Sequence, residues 1–195
     1  MRGVRWLNGR DSAPATLALR AGEGLYGCVG CGSVERGVFV GRAAGGGAGV
    51  YSVGVGAMRG GRGDGQPVTT LIELEAGTQL LHYFAGPANA TLLLSNSGGY
   101  GFLAAVENMV SRQKGGKAFI SLGEGETVCV PSHAAGTTGS KPLAPATHVA
   151  CASVGGRILT FEITELKTMA NGGRGLMLID LEDKDQLAGA AAYTR

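Results

Sequence analysis

Charge is scarce in this chain. Asp, Glu, Lys and Arg make up 16% of it against 44% hydrophobic residues, which excludes a self-repelling disordered polymer. Proline is scarce too, at 6 of 195 residues beside 36 glycines, so the glycines mark tight turns between short strands and not a Pro-rich linker. No apolar run reaches the roughly 18–20 residues that would span a bilayer, and no secretory leader opens the chain. The 4 cysteines fit a reducing compartment. Cys129 and Cys151 sit in apolar stretches as small buried hydrophobes, while Cys28 and Cys31 have the spacing of a knuckle with no second pair or nearby His to complete a metal site.

Catalytic patterns are missing as well. Gly22-Glu-Gly-Leu-Tyr-Gly27 satisfies GxGxxG but leads into strand-like residues instead of a helix. Gly116-Lys117 is followed by Ala, so it is no phosphate-binding P-loop, and no Ser carries a nucleophile elbow. His82, His133 and His148 are far apart; His82 and His148 fall in strands and His133 in a loop. The acids of Glu124/Glu126 and Glu182–Asp185 read as solvated turns. The expectation is a domain with no catalytic residue, no metal and no cofactor of its own.

What the chain does have is an internal repeat. The stretch Thr91–Leu122 returns 57 residues later as His148–Leu181: Gly98 falls on Gly155, Gly99 on Gly156, Gly115 on Gly172, Gly116 on Gly173, and Lys117 on Arg174. Apolar positions keep phase, with Phe102 on Leu159 and Met109 on Leu166. Each copy reads as strand, Gly turn, strand, a short irregular passage, a basic glycine knot and another strand. Further knots lie at Gly22 and Gly63. This periodicity with several short strands per unit predicts an all-β, propeller-like ring of four-stranded blades with very little helix. The units run roughly over 1–33, 34–76, 77–125 and 126–185 of a single domain, 1–195, with the start of another to the end. Strands are expected at Thr16–Leu19, Tyr26–Val29, Gly37–Val40, Val50–Val55, Val68–Leu74, Gln79–Phe84, Leu92–Leu94, Gly101–Val106, Ala118–Leu122, Thr127–Val130 and Leu187–Tyr193. The last has no expected partner in its own unit, so the chain reads as part of a larger protein. Ser132–Ala146, rich in small residues, is expected to be an exposed, mobile loop.

Net charge is only +2, but residues 1–62 carry eight Arg against three acids, while residues 121–195 carry six Lys/Arg against eight acids. The knots place Arg20, Arg59, Arg62, Arg112, Lys114, Lys117 and Arg174 on turns where glycine allows close approach of a phosphate. Equivalent turns of a repeat share one rim, and a basic rim suits the phosphates of duplex DNA without base readout. The other readings are a rim of solubilising charge and a propeller-like protein-interaction module with no DNA role.

Ser95–Phe102 and Arg112–Leu122 (S-x-x-GYGF and R-x-K-x-GKA-x-I-x-L), with RGVRWLNGRD, AGEG, RGDGQPVTTLIEL and the final LAGAAAY, resemble the C-terminal domain of the ParC-type subunit of bacterial DNA topoisomerase IV. The related gyrase protein carries a QRRGGKG box for tight wrapping; Arg112–Ala118 is a degenerate echo of it, which favours the topoisomerase IV branch. The resemblance implies a β-pinwheel that binds and bends duplex DNA on its rim. It also implies a parent enzyme using ATP and Mg2+ to relax and unlink DNA, in which the parent chain forms a homodimer inside a heterotetramer with the second type of chain. The parent is expected in the cytoplasm, on chromosomes, with peripheral contact to the inner membrane compatible.

Overall fold

The computed structural model describes residues 3–4, 21–58, 65–138 and 141–195. The expected strand at Thr16–Leu19, and Arg20, Arg59 and Arg62, lie outside the described residues. Within them the strands are β1 (Gly3–Val4), β2 (Arg36–Arg42), β3 (Ala48–Gly54), β4 (Gln66–Pro67), β5 (Gln79–Gly86), β6 (Thr91–Ser95), β7 (Tyr100–Ala105), β8 (Lys117–Ile120), β9 (Ser132–Thr138), β10 (Lys141–Leu143), β11 (His148–Ser153), β12 (Ile158–Glu162), β13 (Leu176–Met177) and β14 (Leu187–Tyr193). Among these residues helix is confined to one turn, α1 (Val106–Met109), and three 3-10 turns. The all-β β-pinwheel expectation holds.

Three hairpins organise the molecule: β2–β3, β6–β7 and β11–β12. Each turns at a glycine with left-handed φ, such as Gly46 (89°), Gly99 (86°) and Gly156 (89°), a conformation that costs a Cβ-bearing residue about 1 kcal/mol or more. The first strand of each hairpin pairs on its outer side with a strand soon to follow, β5, β9 or β14. The second strand reaches further along the chain. Gly101 of β7 pairs with Leu176 of β13, and Val50 of β3 with Lys117 of β8. Val4 of β1 meets Gln66 of β4 in the same relation. Each of these sheets is thus completed by a strand from further along the chain.

The strands are buried on both faces because sheets and cores alternate. Val38 and Val40 face a core with Leu92, Leu94, Phe102 and Phe119, whereas Phe39 between them faces another with Tyr51, Val68 and Ile72. On the next sheet Leu92 and Leu94 point one way, and Leu93 points the other, into a core with Val149, Cys151 and Leu187. Period-2 side-chain alternation explains why Val38-Phe39-Val40 and Leu92-Leu93-Leu94 are unbroken apolar runs.

Several expectations need correction. Tyr26–Val29 forms no strand. Val68–Thr70 is a 3-10 turn, started by Pro67, whose carbonyl accepts from the Thr70 hydroxyl at 2.8 Å. Thr127–Val130 contributes a single bridge, Asn96 with Val128. Ser132–Ala146 is largely a hairpin, β9–β10, paired to β6. Its small residues serve close packing: a Cβ on Gly136 would stand 2.7 Å from Ala90 Cα, and Ala134 is buried. This also moves His133 from a loop into β9. The final strand is not unpartnered either, since β14 pairs along β11 over its whole length.

Candidate nucleic-acid interface

The knot Arg112–Lys117 begins where the chain leaves α1. Ser111 anchors it to β3: its N–H donates to Ser52 Oγ at 2.9 Å, and the Ser52 hydroxyl donates to the Ser111 carbonyl at 3.0 Å. The Gly116 N–H closes the turn on the Gln113 carbonyl (3.1 Å), and the Glu73 N–H donates to the Lys114 carbonyl (3.0 Å). Gly116 has φ 67° and lies so near β3 that a Cβ would come within 2.5 Å of the Val50 carbonyl oxygen. The glycine is therefore explained by packing of the turn onto β3. A rigid backbone holds Arg112 and Lys114 out to solvent, and neither forms an ion pair or side-chain hydrogen bond among the described residues.

Lys117 behaves differently. Half-buried, its ammonium donates to the Asn108 carbonyl at 2.6 Å and lies 5.5 Å from the Phe119 ring centroid. It fastens β8 to the end of α1, where the last carbonyls lack intrahelical donors.

The equivalent knot, Gly172–Arg174, lies against β8. The Gly173 N–H donates to the Phe119 carbonyl (2.8 Å), and the Ser121 N–H donates to the Gly173 carbonyl (2.9 Å). A Cβ on Gly172 would collide with that same Phe119 carbonyl. Arg174 is clamped: Nη2 meets Glu126 Oε1 at 2.6 Å, and the guanidinium lies 4.3 Å from the Tyr100 ring centroid. Glu126 also accepts the Gly123 N–H at 2.6 Å. The 57-residue offset pairs Arg174 with Lys117, and both hold β-structure together through different acceptors. Asn108, Glu126 and Tyr100 are residues the sequence reading missed; the repeat supplied no signal for them, because their equivalents 57 residues away have other roles.

The two knots and the Gly46-Gly47 turn nevertheless converge. A groove of about 750 Å³ is lined by Gly46, Gly47, Gly116, Lys117, Gly172 and Gly173, with Glu75 the acid on its wall. Of the seven predicted cations, Arg112 and Lys114 stand free on one turn, Lys117 lines the groove, Arg174 is ion-paired, and the other three are outside the described residues.

His82 is satisfied on both nitrogens, by the Tyr26 hydroxyl and the Val128 carbonyl, each at 2.9 Å. His148 meets Thr147 Oγ1 at 2.8 Å and packs on Tyr193. Burial pulls the His133 pKa below its ordinary value. Cys28 is exposed and Cys31 half-buried; burial, then the Glu35 carboxylate, pushes the Cys31 thiol up, away from the thiolate a metal would need. Asp185 accepts the N–H groups of Gly155 and Gln186, each at 2.8 Å, so one member of the acidic run caps the last hairpin turn. Among the described residues no helix is long and apolar enough to cross a membrane.

Residues 147–193 match the family described as DNA gyrase C-terminal domain, beta-propeller. The ParC-type chain of DNA topoisomerase 4 from Neisseria gonorrhoeae is 39% identical over 141 residues, 72% of this chain and 18% of that protein. Its counterpart from Haemophilus influenzae is 29% identical over 182 residues, 91% of this chain and 22% of that protein. The solved E. coli ParC C-terminal domain matches with a TM-score of 0.82 and 25% identity, covering 98% of this chain and 76% of that one. A solved C-terminal domain of DNA topoisomerase IV matches in fold, with a TM-score of 0.64 at 12% identity over 84% of this chain and 48% of that one. The chain spans about a fifth of the length of the curated relatives it matches. In motif, strand order and relatives alike, it belongs to the gyrase A-like C-terminal β-pinwheel family, in the ParC branch of topoisomerase IV.

Proposed function

We propose that the chain is the DNA-binding and DNA-bending C-terminal domain of a ParC-type topoisomerase IV protein. In this reading it presents duplex DNA to a type II topoisomerase that uses ATP and Mg2+ elsewhere in its assembly. The parent protein is a homodimer joined to the other topoisomerase IV component and acts on the chromosome in the cytoplasm. The observation that carries the reading is the Arg112–Gly115 turn, where two unpaired cations stand on a backbone pinned by Ser52 and Gly116. A pinned turn loses little freedom when a phosphate docks, so the charge–phosphate attraction is not offset by ordering. Arg20, Arg59 and Arg62 extend the same path in this proposal. Lys117 and Arg174 contribute field, while their geometry keeps the knots folded.

Fluorescence anisotropy of a labelled duplex across a salt series tests it. Binding should weaken steeply with salt and be indifferent to sequence. The pair Arg112→Ala and Lys114→Ala should lower the log–log salt slope by about 2, at roughly 0.9 per lost phosphate contact. An unchanged slope in the folded double variant moves the DNA path off this turn. No duplex affinity even at low salt leaves the protein-interaction module as the better reading.

A further inference from the structure

β12 is the exception among the hairpins. The strands β1, β3 and β7 each carry an exchanged strand on their outer side, namely β4, β8 and β13; among the described residues β12 carries none. The pattern at β7 shows what such an edge receives. Leu103 donates its N–H to the Lys167 carbonyl (3.0 Å) and accepts the Met169 N–H (2.8 Å). Gly172 and Gly173 then press on Phe119, Met169 packs into the adjoining core, and β13 pairs with Tyr100 and Gly101.

Moved on by one repeat, Leu103 becomes Thr160, which makes no backbone hydrogen bond on that side among the described residues. The apolar positions beside it are uncovered: Leu159 is 43% exposed where Phe102 is 1%, and Met177 is 55% exposed where Ile120 is 3%. Leu159, Phe161, Leu166, Leu176 and Met177 line a groove of about 470 Å³. An open apolar edge strand recruits another strand unless it is blunted by charge, proline or a bulge, and β12 carries none of these beyond Glu162 at its end.

We propose that the β12 edge and this groove are an acceptor site for an extended strand-exchange segment. Its chemistry is an apolar residue, a Gly-Gly knot and a basic residue running into an apolar strand. Its source is the parent polypeptide, since both filled templates, β8 on β3 and β13 on β7, come from the same chain one unit further on. The segment's main chain hydrogen-bonds Thr160, its apolar residue fills the groove, and its glycines approach the carbonyl of Leu176 as Gly172 approaches that of Phe119.

The probe is a peptide with the sequence of Lys167–Leu178, added to the full chain and also joined to its C-terminus through a Gly/Ser linker of about 35 residues. The tethered form supplies an effective concentration near the millimolar range, so a weak strand still registers. Amide exchange at Thr160 should slow at least tenfold in the tethered form, and its thermal midpoint should rise. Changing the probe's two knot glycines to Ala should abolish both effects. Thr160→Pro, which removes the outward N–H, or Leu159→Glu, on an exposed position that tolerates charge in the folded chain, should each abolish protection. An unprotected Thr160 in the tethered form overturns the proposal, as does equal protection by the Ala-Ala probe. Protection that grows with protein concentration in the absence of probe, in step with a dimer in light scattering, also overturns it, because a second copy then occupies the edge.

Discussion

The hairpins β6–β7 and β11–β12 are two readings of one pattern, and they differ in what lies beside them. Both pair five residues across a Gly-Gly turn and lead into one helical turn and a glycine knot. In the first, sheets cover both faces and an exchanged strand covers the outer edge; in the second, one face and one edge are open. Leu159 and Met177 are as apolar as Phe102 and Ile120 and far less buried. Apolar character therefore marks where a neighbour belongs, and topology decides whether it is there.

The sharpest break of this comparison is a pair of truncations. Phe102→Ala should cost about 3–5 kcal/mol in chemical denaturation, as a large core aromatic does. Leu159→Ala, at the equivalent place, should cost under about 1 kcal/mol, because little is lost from a side chain already in water. Equal costs would mean that the two hairpins share one environment.

The knots sharpen it next. Gly172→Ala puts a Cβ into the Phe119 carbonyl from a left-handed backbone, and should destabilise by about 2–4 kcal/mol. Gly115→Ala meets open space and should stay within about 0.5 kcal/mol. Among cations, Arg174→Ala should cost about 1–2 kcal/mol, since it strands the mostly buried Glu126 carboxylate and removes the contact with Tyr100. Arg112→Ala should leave stability unchanged within about 0.5 kcal/mol. A reversal of that order would undo the division between clamped and free cations.

The smallest effect is a pH dependence. Burial lowers the folded pKa of His133 below 6.5, so the unfolded chain binds a proton that the folded chain refuses. This contribution is present above about 6.5 and is lost as pH falls toward the folded value. Urea midpoints should fall slightly between pH 7 and pH 5.5, and His133→Gln should flatten that part of the profile. A profile unchanged by the substitution would show that His133 is free to protonate in the fold.

The repeat was legible because equivalent strands need equivalent alternation and equivalent φ. Gly99 and Gly156 share a left-handed turn, and the sequence offset found them. Misreadings arose where short segments lacked that support. Val68–Leu74 looks β-branched and strand-like, yet Pro67 and Thr70 close a local turn before any pairing can form. Ser132–Ala146 has the composition of a loop, and its small residues are small because β9 crosses Ala90 closely. For the cations, charge and turn position were legible while pairing was not. Nothing near Arg174 in sequence announces Glu126, and nothing near Lys117 announces the carbonyl of Asn108.

The exchanged strands also set a clock for biosynthesis. Gly101 finds its outer partner in Leu176, 75 residues later, which at about 5–20 residues per second is a wait of roughly 4–15 s on the ribosome. For that interval the nascent chain exposes the edge of β7 beside Phe102. A unit of this protein cannot mature before its successor is made, so codon changes that slow translation across residues 106–176 should lengthen its exposure to chaperones and to misassociation, with every residue left unchanged.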